Sequence, residues 1–187
     1  MRRDARATRR RLLDAAAAEF AARGIAGARV DRIAEAAESN KAQIYHYFDS
    51  KDGLFDAVFH DLVVTTLRDV PIDPADLPEY AGRLFDGYQA RPHVQRLATW
   101  HRLEHAGSSE TIDIVAQSNA SKVEAIAKAQ AEGVLPDRWT AVELLGLVLH
   151  LSGLWSGMTP EFETLVADVD HTRRRQVVVE AVRALLT

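Results

Sequence analysis

The sequence contains no cysteine, which excludes a disulfide scaffold and thiolate catalysis and suits a reducing compartment. No apolar stretch reaches the roughly 18 residues that a membrane span needs. Even the alanine run at residues 15–18 is bracketed by Asp14 and Glu19. The expectation is a soluble, unexported, cytoplasmic protein with no membrane contact. Neither a G-x-S-x-G elbow nor a phosphate-binding glycine loop occurs, so common enzyme classes have no foothold and no cofactor is expected. Beyond Lys51 the alternation of β-branched and polar residues that marks strands is also missing, and turn signals are far apart, so the chain reads as successive helices. Its 187 residues, 47% hydrophobic, suffice for one sizeable core and a small appended domain.

Residues 29–51 are the most informative segment. Val30, Ile33, Ala34 and Ala37 recur at i, i+3, i+4 and i+7, an apolar stripe on a helix too short to stand without packing partners. A break follows at Glu38-Ser39. Asn40 can then accept from the backbone three residues on, which starts a second helix whose inner face is Ile44 and Phe48. Its outer face offers Lys41, Gln43 and His46, groups that bond base edges in a major groove, with Ala42 small enough to permit close approach. Tyr45 and Tyr47 add hydroxyls suited to phosphate, as does Arg29 with its guanidinium group, and Arg32 is a further candidate for DNA contact that with Arg29 flanks Asp31 and offsets its charge. Ser50 caps a further helix beginning at Lys51, whose ammonium and free backbone N–H groups make another phosphate anchor. Two short helices joined by a sharp break, the second crowded with such groups, form a helix-turn-helix signature.

Charge is distributed to match. Residues 1–51 hold 11 Lys and Arg against 7 Asp and Glu, net +4, whereas residues 52–187 hold 12 against 20, net −8. Counterion release depends on the cations that meet phosphate rather than on the chain total of −4. Arg2, Arg3, Arg6, Arg9, Arg10 and Arg11 form a basic N-terminal arm, either entering a minor groove or serving as a solubilising tail.

Leu12-Leu13, Ala15-Ala16, Phe20, Gly24, Val30, Ile33-Ala34 and the run Ile44–Lys51 together resemble the DNA-binding region of the tetracycline-repressor (TetR) family of bacterial regulators. The resemblance covers about the first third of the chain. It implies an all-α protein that is not an enzyme. An N-terminal three-helix helix-turn-helix domain, residues 1–50, would precede a larger helical ligand-binding and dimerisation domain, residues 51–187. It also implies repression of a near-palindromic operator in double-stranded DNA, relieved by a small, largely apolar effector. Three positions depart from the family pattern. Glu38 replaces a turn glycine, Ser39 replaces the apolar plug of the turn, and Glu19 puts a carboxylate near the small core where leucine is usual. Asp31 is an acid close to the phosphate-facing end of the first motif helix.

Further helices are expected at 51–69, 79–90, 93–105, 109–132, 140–155 and 171–186, with the proline-rich stretch 70–78 ending the first of them. The helix at 141–155 is apolar nearly all round, and the last helix carries more valine and leucine than one face can bury. They are expected to pair across a twofold axis as a four-helix bundle, making a homodimer. The alternative is that both are central helices of a monomer. A dimer suits DNA, because recognition helices about 34 Å apart reach successive major grooves.

Phe85, Tyr88, Trp100, His101, Glu104, His105, Trp155 and Met158 mix apolar bulk with a few polar handles suited to an effector pocket. The competing account makes the aromatics core and the histidines surface. Residues 101–105, HisArgLeuGluHis, match the H-x-x-E-H pattern of inverted zincins, with two histidines spaced i, i+4. No third ligand or cleft accompanies them, so no resident metal is expected.

Overall fold

The computed structural model describes residues 2–104 and 112–187, with side chains from residue 5 onward. The described residues form α-helices and short turns and contain no strand. They gather into two compact units, one from the stretches Met1–Thr65 and His93–Ile114, the other from Thr66–Pro92 and Val115–Thr187.

The first unit contains α1 (Arg2–Gly27), α2 (Val30–Ala36), α3 (Lys41–Phe48), most of α4 (Lys51–Asp69) and nearly all of α6 (Pro92–Glu104). In its core Leu12, Ala16 and Phe20 from α1, Ile33 from α2, Ile44 from α3, and Leu54 and Phe55 from α4 are almost wholly buried, with Ile33 and Ile44 on the faces that their spacing anticipates. The Phe20 and Phe55 rings meet edge to face with centroids 5.3 Å apart. α1 kinks at Gly24, whose φ of 69° is open to glycine without strain. A side chain there would also strike the Trp100 indole of α6, 3.0 Å from the position of a Cβ.

The basic N-terminal stretch is part of α1 rather than an irregular arm. Arg10 pairs with Asp14 and with Asp61 of α4, Arg11 donates to the Ala37 carbonyl, and the Arg9 guanidinium lies over the Phe48 ring. These side chains are held against the first unit, which accounts for their not forming a free tail. The side chains of Arg2 and Arg3 lie outside the described residues.

The second unit contains α5 (Leu77–Ala90), nearly all of α7 (Asp113–Ala131), α8 (Ala141–Ser152), α9 (Pro160–Leu165) and α10 (His171–Leu185). Its helices start where side chains can satisfy their first N–H groups: Asp76 for α5, Thr140 with Glu143 in a reciprocal capping box for α8, and Asp170 for α10. Tyr80, Leu84, Ile126, Leu144, Val148, Val178 and Val182 form its centre. Arg175 of α10 fastens that helix to α5 by donating to Asp86 at 2.9 Å and to Glu79. The sequence gives no sign of α9, because its six residues are too few for periodicity; only Thr159, which caps it, and Pro160 at its first turn mark it. Among the described residues, no helix is long and apolar enough to cross a membrane.

Candidate nucleic-acid interface

The junction of α2 and α3 is a Schellman turn. The N–H of Glu38 bonds the Glu35 carbonyl at 3.0 Å and the N–H of Ser39 bonds that of Ala34 at 2.9 Å. This closure places Glu38 at φ 50°, the left-handed position usually held by glycine. A side chain there costs roughly 1 kcal/mol, so Glu38→Gly is expected to raise stability by about that amount, less the greater freedom of glycine in the unfolded chain. Chemical denaturation would measure it, and an unchanged or lower midpoint would show that the turn carries no strain. Arg11 strengthens the same corner by placing a cation at the exposed carbonyl end of α2.

α3 then begins as its sequence dictates. Asn40 Oδ1 accepts from the Gln43 N–H at 3.0 Å. Ile44 and Phe48 face inward, at 0% and 5% exposure, and fix which side of the helix looks out. Lys41, Ala42, Gln43, Tyr45 and His46 are exposed and Tyr47 is half-buried, its ring against that of His46. Ser50 Oγ accepts from the Gly53 N–H at 2.9 Å and starts α4, with Lys51 at its first position. The structure thus brings Lys41, Gln43, Tyr45, His46 and Lys51 onto α3 and the start of α4, as the spacing anticipates.

The arginines and acids near this surface are arranged in a way that spacing did not reveal. Glu19, with only 14% of its side chain exposed, accepts from Arg32 Nε at 2.7 Å and from the Arg29 N–H at 3.1 Å. Arg32 also donates to the Gly27 carbonyl. Arg32 therefore ties α2 to α1. The departure at Glu19 is compensated by these bonds, since a buried carboxylate needs such partners. The exposed Asp31 pairs with Lys41 across the α2–α3 corner, so the acid that sequence places near phosphate holds the first cation of α3.

The hydrogen bond from Arg32, aided by the Arg29 N–H, holds the Glu19 carboxyl below its usual range. A depressed value means that this contribution to stability is full above the ordinary carboxylate value of 4.5 and is lost as pH falls through the lower folded value. Glu19→Gln is accordingly expected to lower the melting temperature at neutral pH and to shrink the gap to wild type as the pH drops below about 4. A gap independent of pH would contradict the pairing.

The side chains considered for an effector do not fall on one unit. The Trp100 indole covers Gly24, and the His101 ring stacks on Phe59 at 4.6 Å, near Phe55. Both belong to the packing of the first unit, and Glu104 is exposed at the end of α6. Phe85 and Tyr88 join the core of the second unit, as does Trp155, whose indole donates to the Arg174 carbonyl at 3.1 Å. Met158 is half-buried in the turn before α9. His105 lies outside the described residues.

Comparison with known proteins places these features in context. Residues 12–58 match the family model for bacterial regulatory proteins of the tetR family, and residues 76–184 match that for the tetracyclin repressor-like C-terminal domain. A helix-turn-helix transcriptional repressor of Streptomyces coelicolor is 36% identical over 165 residues, spanning 88% of this chain and 85% of the relative. The repressor NicS of Pseudomonas putida is 32% identical over 142 residues, 70% of this chain and 66% of its own. A crystal structure of another Streptomyces coelicolor transcriptional regulator superposes with a TM-score of 0.84 at 41% identity, covering 95% of this chain and 97% of that one. A TetR-family regulator from Rhodococcus does so at 0.63 and 26% identity, over 97% and 99% of the two chains.

Proposed function

The chain belongs to the tetracycline-repressor (TetR) family of bacterial transcriptional regulators, and from that premise we propose that it is a cytoplasmic, dimeric repressor released from a near-palindromic operator by a small effector. As a DNA-binding regulator of this family it is not an enzyme. The observation that carries the proposal is the orientation of α3. Ile44 and Phe48 lock its inner side, leaving Lys41, Gln43 and His46 exposed on the outer side to meet base edges, Lys41 by exchanging its Asp31 partner, while Tyr45, Tyr47, Lys51 and Arg29 hold phosphate.

Functionally, residues 1–50 together with Lys51 serve DNA, and the rest of residues 51–187 serves the effector and pairing. α8 and α10 join protomers as a four-helix bundle. Val142 of α8 stands 63% exposed, and open space surrounds the position a Gly146 side chain would take, so a second helix can approach closely. The effector binds in the second unit beside Phe85, Tyr88 and Trp155. Its binding changes the separation of the two recognition helices, through a coupling of about 1–3 kcal/mol.

The test separates reading from holding. Gln43→Ala should relax discrimination at one operator position by about 1–3 kcal/mol, whereas Tyr45→Phe should weaken specific and scrambled duplexes alike. Both are scored by binding to single-base operator variants. Equal loss with unchanged sequence preference in both would sink the assignment of α3.

A further inference from the structure

Lys41 and Asp31 form an ion pair on the surface that meets base edges. Lys41 opens α3, and the N-terminal residues of a recognition helix are the ones that reach into the major groove. Asp31 lies in the first turn of α2, with its Oδ1 2.5 Å from the Lys41 Nζ and each side chain 55% exposed.

The corner between the two helices holds without this pair. The Schellman turn closes it, Ile33 and Ile44 are wholly buried beneath it, and Arg32 ties α2 to α1 through Glu19. An ion pair so exposed adds little to stability. A carboxylate here also opposes binding, because it repels phosphate and occupies a cation that could otherwise displace counterions. Its presence therefore calls for a partner on the DNA.

One base-pair edge supplies partners for both charges. Along the major groove a G·C pair presents two acceptors, guanine N7 and O6, and then a donor, the cytosine N4 amine. O6 and N4 are hydrogen-bonded to each other and so stand about 2.9 Å apart, close to the separation of Nζ and Oδ1. Lys41 can exchange Asp31 for N7 and O6 while Asp31 takes the amine, and neither charge is left alone. A T·A pair keeps an acceptor and a donor in the two central places, thymine O4 and the adenine amine, but puts a methyl group where N7 was. A·T and C·G invert the central order, setting ammonium against amine and carboxylate against a carbonyl oxygen.

We infer that Asp31 and Lys41 act as one unit that reads a single G·C pair in each half-site, with the guanine facing Lys41. This rests on the DNA reading of α3 and adds a residue of α2 to it as a determinant of sequence preference.

Selection by the full-length protein from a randomised duplex library, followed by anisotropy on the selected duplex and its single-base variants, would test it. Wild type is expected to show one position per half-site at which G·C is best, T·A second, and A·T and C·G about tenfold or more weaker. Asp31→Ala should flatten that order at that position alone. It should also bind scrambled duplexes more tightly, with a salt slope steeper by about one, because Lys41 is then free for phosphate. Asp31→Asn, which keeps an oxygen acceptor, should retain part of the preference. A 7-deazaguanine at that position, which lacks N7, should weaken wild type and leave Lys41→Ala unaffected. An unchanged preference at every position in Asp31→Ala would overturn the inference and leave reading by Gln43 and His46 in place. So would an equal loss on selected and scrambled duplexes with a lower melting temperature, which would make Asp31 only a first-turn acid that supports α2. Failure of wild type to select any sequence would overturn both the inference and the DNA reading beneath it.

Discussion

Truncating Phe55 to alanine is expected to cost about 3–5 kcal/mol and to abolish DNA binding at physiological temperature. Phe55 is 1% exposed and sits where three elements meet. Phe20 of α1 meets it edge to face, Phe59 lies 5.9 Å away on α4 itself, and His101 of α6 stacks at 6.3 Å. Removing the ring leaves a cavity lined by groups fixed on separate helices, so the site cannot collapse cheaply. A domain with a total stability of roughly 5–15 kcal/mol has little margin for that loss. α2 and α3 are each too short to persist without this core, so the recognition surface should melt with it. Thermal unfolding followed by circular dichroism, with DNA binding on the same sample, measures both effects. A loss under about 1 kcal/mol would place the centre of the first unit elsewhere.

The second large effect has a sign opposite to simple helix propensity. Alanine in place of glycine inside a helix ordinarily stabilises by about 1 kcal/mol, yet Gly53→Ala in the first turn of α4 is expected to destabilise by about 3 kcal/mol. A Cβ at this position would lie 2.3 Å from the Phe48 carbonyl oxygen. That oxygen cannot retreat freely, because Phe48 ends α3 and the Ser50 N–H is bonded to it. Asp49, at φ 62°, already bends the chain sharply between the two helices. The added methyl should therefore push the end of α3 away from α4, weakening Ser50 as the cap of α4 and displacing Lys51. Denaturant unfolding reports the stability and DNA affinity reports the displaced anchor. A stabilised variant with unaltered affinity would show that the close approach of Phe48 and Gly53 is not maintained in solution.

The parts of this structure governed by local rules could be read from the chain. The caps at Asn40 and Ser50, the inner positions Ile44 and Phe48, and the 51–69 helix follow from spacing and hydrogen-bonding chemistry, and the structure keeps them. The strain at Glu38 was foreseeable as well, because only one residue type closes such a turn without cost. What escaped depended on pairings between distant positions. Glu19 and Arg32 stand 13 residues apart and their bond braces α2 against α1. Trp100 and His101 look like pocket residues by composition, but they pack against Gly24 and Phe59, which no periodicity within α6 announces.

The most direct test of the account is fluorescence anisotropy of the purified protein on duplexes from its own upstream region and on scrambled duplexes, repeated across a salt series. Binding to one near-palindromic duplex about a thousandfold or more tighter than to scrambled DNA, with an affinity that falls steeply with salt as several phosphate contacts require, is the predicted result. Weak binding indifferent to sequence, on every upstream duplex and at low salt, would contradict the claim that α3 reads DNA.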